Sequence, residues 1–260
     1  MKNVRILPLG SKYAILNILN YLAVKIGIIS YFNFKFKEGT LIVDKNFIRY
    51  KDIRFRYKGI YQFKNSIMLI HDIYLVKPYA QLNVYDKVVV DIGAAIGDTA
   101  IMFKMLGAKK VIAFEPFPYS YNIAKGNILD NFKYGKAIHL VNKAVGKQGS
   151  ITIRENYKSN LSSSLLDFRD GIRIEIMSLD KLVSRYKIPP HSIIKIDCEG
   201  SELDVIKNAS LKTLGLFDQI ILEYEDNYTA ISDALKSAKF KVKKTPDKYN
   251  NKNGILYAYR

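Results

Sequence analysis

The stretch Val88-Val89-Val90-Asp91-Ile92-Gly93-Ala94-Ala95-Ile96-Gly97-Asp98-Thr99-Ala100 constrains this chain more than any other. A short β-branched run reads as a strand buried on both faces, and a glycine-bracketed turn running into a helix is how an α/β domain opens a nucleotide-sized site. Gly93 and Gly97 let the backbone turn tightly and approach a ligand, while Asp91 at the strand end can meet a positively charged group. The run Val111-Ile112-Ala113-Phe114-Glu115-Pro116 reads as the next strand. It ends in Glu115, a carboxylate able to accept both hydroxyls of a ribose. Two strand ends therefore converge on one nucleoside.

Spacing decides which nucleoside. A dinucleotide fingerprint needs G-x-G-x-x-G so that a pyrophosphate can touch the backbone, whereas here Ala94 replaces the second glycine and no phosphate-grasping Lys or Arg follows. S-adenosylmethionine fits better, because it carries no phosphate, needs its ribose held, and presents an ammonium and a sulfonium that acidic neighbours favour. Taken alone, two glycines four residues apart after a strand read equally as a plain turn. Glu115 and the order of the elements downstream make the pattern specific.

The remaining composition bounds the answer. A chain of 260 residues can bury a full core as one generous domain, or as one domain with a small addition. Its single cysteine, Cys198, excludes an internal disulfide, and three histidines (His71, His139, His191) without metal-ligand spacing predict no structural metal. The apolar amino-terminal stretch lacks a cleavage pattern, so a cytoplasmic setting is expected, with a peripheral membrane association as its variant. The net charge of +17 is uneven: residues 1–80 hold 14 Lys and Arg against 4 acids, which leaves +7 for the rest. Such a surface suits an anionic partner such as RNA, a phospholipid face or a phosphorylated sugar carrier, and reads equally as a lysine-rich solvated surface.

Along the chain, residues 13–34 read as an amphipathic helix with Ile15, Leu19, Leu22 and Ile26 on one side and Asn17, Asn20, Tyr21 and Lys25 on the other. Lys25 argues against a membrane span. Packing of the apolar side against the protein is expected, with lying on a membrane surface as the alternative. Strands are expected over Thr40–Val43, Asp52–Tyr57 and Ser66–Ile70; in the middle one Ile53, Phe55 and Tyr57 face inward and Arg54, Arg56 and Lys58 outward. From Asp86 onward strands and helices alternate, interrupted by short strands around a polar loop, Asn160–Ser164, and the chain closes with a hairpin of 240–243 and 255–259. The expected fold is α/β: a Rossmann-like, mostly parallel sheet with an antiparallel C-terminal edge strand over residues 81–260, preceded by a small basic α+β region over residues 1–80.

The run VVVDIGAAIGDTAIMFKMLGAKKVIAFEPFPYSYNIAKGNI, followed by VNKAVGKQGSITI, SSSLL, MSLDKLV and IIKIDCEGSELDVIKNA, resembles the FkbM family of S-adenosylmethionine-dependent methyltransferases across residues 66–225. The resemblance implies a class I methyltransferase fold with S-adenosyl-L-methionine as cofactor. It implies that Asp91, Gly93 and Gly97 form the first cofactor motif, that Glu115 holds the ribose, and that Asn142 and Ala144 lie beside the adenine. Ala94, Asp98 and Pro116, which flank these residues, fall in the same cofactor-binding set. The chain departs from the family at Ala95, where Asn is frequent.

Asp197-Cys198-Glu199-Gly200 matches the family's D-x-E-G element, at a strand end where open α/β sheets meet their ligands. Asp197 is the expected base for a hydroxyl acceptor, and Glu199 orients substrate or completes the cofactor pocket, or else caps the following helix. Cys198 reads as a buried spacer. The Ser162-Ser163-Ser164 loop closes over the acceptor or is a plain surface loop, and His71 reaches the cleft or is structural. The leading expectation is O-methylation of a hydroxyl on a sugar, glycan or small metabolite. The alternatives are an RNA methyltransferase using the basic amino-terminal region, and a non-catalytic peripheral membrane or scaffold protein.

Overall fold

The computed structural model describes residues 20–28, 30–36, 39–154, 169–198, 200–225, 228–247, 250 and 252–260. The chain divides into two compact units, Met1–Lys77 and Pro78–Arg260. The first holds a helical segment over residues 20–25 (α1), an antiparallel meander, and a helix, α2 (Gly59–His71), that runs into a π-helical turn, Asp72–Val76. The meander is β1 (Tyr31–Lys35), β2 (Thr40–Asp44), β3 (Phe47–Tyr50) and β4 (Ile53–Arg56), in that order across the sheet. Strict alternation gives it one dry face, with Leu41, Val43, Ile48, Ile53 and Phe55 buried, and one wet face. Arg54 and Arg56 stand outward as expected.

Two expectations for this unit are corrected. Ser66–Ile70 lies inside α2 rather than in a strand: Phe63, Ile67 and Ile70 are buried at helical spacing, so a short apolar run that periodicity alone leaves ambiguous follows the 3.6-residue repeat. The amphipathic helix ends by residue 25. Gly27 adopts φ +83° and the chain then enters β1. The helix is also turned the other way round. Tyr21 and Val24 are buried while Leu22 and Ile26 face solvent, because the Tyr21 ring lies 4.4 Å from Phe63 and 6.4 Å from Tyr57, which draws the aromatic side inward. Ile15 and Leu19 lie outside the described residues.

The second unit is built on a seven-stranded sheet. Its strands are β5 (Val88–Ile92), β6 (Lys110–Phe114), β7 (Ile138–Val141), β11 (Ser192–Ile196), β12 (Phe217–Glu225), β13 (Lys241–Pro246) and β14 (Asn253–Tyr259). They are ordered β13-β14-β12-β11-β5-β6-β7. All neighbours are parallel except those of β14, which runs against both β12 and β13. The reversed C-terminal strand is present, one place in from the rim; lysine-bearing β13 takes the edge itself, where charge discourages pairing with another chain. Helices α3 (Asp98–Met105), α4 (Pro118–Asp130), α5 (Phe132–Gly135), α6 (Leu179–Tyr186), α7 (Glu202–Lys207), α8 (Leu211–Leu214) and α9 (Tyr228–Ser237) connect these strands.

A separate three-stranded sheet, β8 (Ala144–Val145), β10 (Ile172–Met177) and β9 (Gly149–Ile153), forms the interruption seen in the sequence, over its own cluster of Phe117, Ile151, Ile153 and Ile174. The main core runs through Val90, Ile92, Ile112, Ile194, Ile196, Leu222 and Leu182. From β5 the chain steps outward to β6 and β7 and then returns to lay β11 on the other side of β5. The carboxyl ends of β5 and β11 therefore bracket the point where strand order reverses, which is where such sheets open to a ligand.

Candidate active site

Three acids arrive at this point. Asp91 occupies the penultimate position of β5 and pairs in register with Lys195 of β11, while Asp197 and Glu115 follow the last residues of β11 and β6. Gly93 lets the strand ends close up. It sits at φ +81°, and a Cβ there would lie 1.7 Å from the Asp197 carbonyl oxygen, so no side chain fits. Backbone bonds fasten the turn: Gly93 and Ala94 N–H both donate to the Phe114 carbonyl at 3.0 Å, and Asp197 N–H donates to that of Ile92 at 3.0 Å.

Asp91 is fully buried and does meet a positive charge, supplied by the protein itself. Thr99 Oγ1 donates to Asp91 Oδ2 at 2.6 Å, and Lys195 Nζ lies 3.3 Å from Asp91 Oδ1. The same ammonium donates to the Gly93 carbonyl at 2.7 Å and stands 3.5 Å from Asp197 Oδ2. Burial alone would pull the lysine down, but Asp91, Asp197 and Asp98 hold it above its usual value, so it stays charged. Tyr79 OH donates to Asp197 Oδ2 at 2.9 Å. Asp197 is thus held through one oxygen by two groups, with its side chain 25% exposed.

Glu115 is buried and aimed by two backbone donors, Ala95 N–H to Oε2 and Phe117 N–H to Oε1, each at 2.9 Å. Burial pushes its carboxyl up to about 8 against the pull of those N–H groups. Asp98, at the first turn of α3 behind Gly97 (φ +82°), is pushed up to about 7 by burial, with Lys195 opposing. Asn142 spends its amide on the backbone, donating from Nδ2 to the carbonyls of Glu115 (2.8 Å) and Pro116 (3.0 Å), so it ties the end of β7 to the end of β6. Ala144 is buried in β8 opposite Ile176. Ala95, where the family often has Asn, has φ +45°, a left-handed conformation that Asn tolerates better than Ala does.

At the D-x-E-G element, Glu199 lies outside the described residues. The Glu202 carboxylate reaches back ahead of α7, accepting from the N–H of Cys198 (2.9 Å) and Gly200 (3.0 Å), and ties down the turn that follows β11. Burial pushes the Cys198 thiol well above its usual value, which leaves it protonated and inert. His71 stacks on Phe36 at 4.1 Å with Nδ1 2.9 Å from Asp72 Oδ1. The loop Ser162–Ser164 lies outside the described residues.

Sequence reasoning missed Lys195, Tyr79, Thr99 and Glu202. Lys195 had a visible signal, a lone lysine flanked by isoleucines in a buried five-residue strand. Thr99 had one in its place eight residues after Asp91, on the first turn of the next helix. Tyr79 and Glu202 had none.

The donor set suits S-adenosylmethionine. Glu115 ends the strand beside β5 with its carboxylate aimed by backbone donors, and Lys195 is committed to two carboxylates and a carbonyl, so it offers nothing to a phosphate. A sheet in this order with one reversed strand and these acids at its switch point defines a class I S-adenosylmethionine-dependent methyltransferase. More narrowly, the chain belongs to the FkbM methyltransferase family, whose domain, described as Methyltransferase FkbM domain, matches residues 91–242.

Among curated proteins, none matches the chain. Similar solved structures include ribosomal protein L11 methylase from Lactobacillus delbrueckii subsp. bulgaricus, at 22% identity over 74% of this chain and 76% of that one, TM-score 0.39. Precorrin-6y C5,15-methyltransferase from Geobacter metallireducens GS-15 is 15% identical over 81% and 96%, TM-score 0.42. Magnesium protoporphyrin IX methyltransferase from Synechocystis PCC 6803 with bound SAM is 14% identical over 78% and 86%, TM-score 0.42.

Proposed function

We propose that the enzyme methylates a hydroxyl of a sugar, glycan or small metabolite, with Asp197 as the proton acceptor. The observation that carries this reading is the one-sided tethering of Asp197: Tyr79 and Lys195 both occupy Oδ2, and Oδ1 is left for an acceptor hydroxyl at the mouth of the site. Bound S-adenosylmethionine supplies an electrophilic methyl group on a sulfonium. Glu115 holds the ribose diol, Gly93, Ala94, Gly97 and Pro116 shape the backbone around the nucleoside, and Asn142 with Ala144 braces the adenine side. Asp91 and Asp98 act from beneath, through Lys195 and the first turn of α3. Asp197 Oδ1 would take the proton of the acceptor hydroxyl whose oxygen gains the methyl group, the sulfur keeping the electron pair of the bond it gives up. Positioning carries most of the acceleration and proton removal a smaller part. Glu199, two positions after Asp197 in the sequence, is proposed to orient the acceptor.

The test is incubation with methyl-labelled cofactor and fractionated cell extract, with Asp197→Asn in parallel. Label is expected in hydroxyl-bearing glycans or small metabolites. The variant should keep its cofactor affinity while kcat falls about 100-fold or more. Label in RNA alone overturns the reading.

A further inference from the structure

We propose that the first unit carries a docking surface for an anionic lipid bilayer. The helical segment α1 buries its aromatic side and leaves its aliphatic side in water. Leu22 is 50% exposed, Ile26 72% and Ile28 71%, followed by Tyr31 at 57%. Isolated exposed aliphatics are ordinary, but four large apolar residues within ten positions form a patch. This arrangement is held by Lys25, whose ammonium lies 4.2 Å from the Tyr57 ring centre and donates to the Lys45 carbonyl at 2.7 Å. The bond sets the aliphatic end of α1 beside the turn between β2 and β3.

That turn opens the wet face of the meander. Cross-strand register places Tyr31, Asp44, Phe47 and Arg56 in one row and Asn33, Ile42, Arg49 and Arg54 in the next. Arg49 stands directly opposite Arg54, and Asp44 lies 3.3 Å from Arg49 Nε. Residues 1–77 carry 14 Lys and Arg against 4 acids. Protruding aliphatics, a tyrosine at their border and guanidiniums behind them match the layers of a bilayer surface: acyl boundary, headgroup and lipid phosphate. Single-stranded RNA fits less well. Three of the four patch residues, Leu22, Ile26 and Ile28, offer bases no ring to stack on, and the guanidinium carbons of Arg54 and Arg56 each stand 5.0 Å from the Phe47 ring centre.

The experiment is co-sedimentation of the full chain with vesicles of phosphatidylglycerol and phosphatidylcholine in equal parts, against phosphatidylcholine alone. Partition is expected only onto the anionic vesicles, weakening with salt. It should fall about tenfold in a Leu22→Asn/Ile26→Asn/Ile28→Asn variant and by a similar factor in Arg54→Gln/Arg56→Gln, with unchanged melting by circular dichroism. The chain has no tryptophan, so Ile26→Trp supplies a lone reporter whose emission should shift to the blue on the anionic vesicles. The proposal is overturned by no partition onto anionic vesicles, by native-like partition of the triple variant, by an unshifted Ile26→Trp emission, by affinity for a single-stranded RNA oligonucleotide in place of vesicles, or by a dimer that the triple variant dissociates without any vesicle binding.

Discussion

Lys195 with Asp91 in the second unit and Arg49 with Asp44 in the first are both acid–base pairs across neighbouring strands, at the same 3.3 Å separation. They differ in surroundings. The first pair is sealed between parallel strands and shares its ammonium with Asp197 and a backbone carbonyl, whereas the side chains of the second are 41% and 25% exposed. Geometry alone therefore says little about what a pair contributes. Where water is absent a charge must be answered by a fixed partner, and the partner's position becomes part of the site's architecture. Where water is present the same contact is one of many interchangeable ones.

Removing the ammonium should show the largest effect. Lys195→Met strands Asp91 without its countercharge and is expected to lose about 3 to 5 kcal/mol in urea denaturation. Adding Asp91→Asn to that variant should restore part of the loss; a double variant no more stable than the single one would break the pairing argument.

Glu115 is next. Its carboxyl sits at about 8 in the folded protein against an ordinary 4.5, so the folded chain keeps a proton that the unfolded chain gives up between those values. Stability without cofactor should fall as pH rises through that window, and Glu115→Gln should flatten the slope. Ribose hydroxyls donate to the ionised form, so cofactor affinity by calorimetry should climb toward about pH 8 and then level. The Gln variant should bind about tenfold to a hundredfold more weakly, with no such climb.

Ala95→Asn should raise stability by about 0.5 kcal/mol, since Asn accepts the left-handed backbone that Ala holds at a cost. Thermal unfolding reads this directly. Arg49→Gln should be smallest, within about 0.5 kcal/mol and smaller still in high salt. A loss as large as that of Lys195→Met would erase the contrast between the two pairs.

The second unit was far more legible than the first, and for a definable reason. In the second unit the central strands β5 and β6 are nearly all apolar, and α6 starts at a cap, Ser178, whose hydroxyl accepts from Lys181 N–H. In the first unit the elements are short, β3 has only four residues, and α1 presents two sides apolar enough to bury. Which side of α1 turned inward was settled by the rings of Tyr57 and Phe63, more than thirty positions away in the chain.

The site divides in the same way. Asp91, Gly93, Glu115 and Asp197 stood out because local pattern puts each at the tip of a strand, and Gly97 because it opens the helix that follows. That Asp91 would be answered by Lys195, 104 positions along the chain, could not be read there, because only the laying of β11 against β5 brings them together. Gly93 shows both halves in one residue: a turn residue by pattern, and by packing the only residue that admits the Asp197 carbonyl. Periodicity in a sequence reports how much of each element is dry and how long it runs, since those follow from local backbone geometry and the transfer of apolar surface out of water. It does not report which neighbour fills the dry side, and that choice decided the charge partners of the site through sheet order and left Leu22, Ile26 and Ile28 facing outward through the packing of Tyr21 on Tyr57 and Phe63.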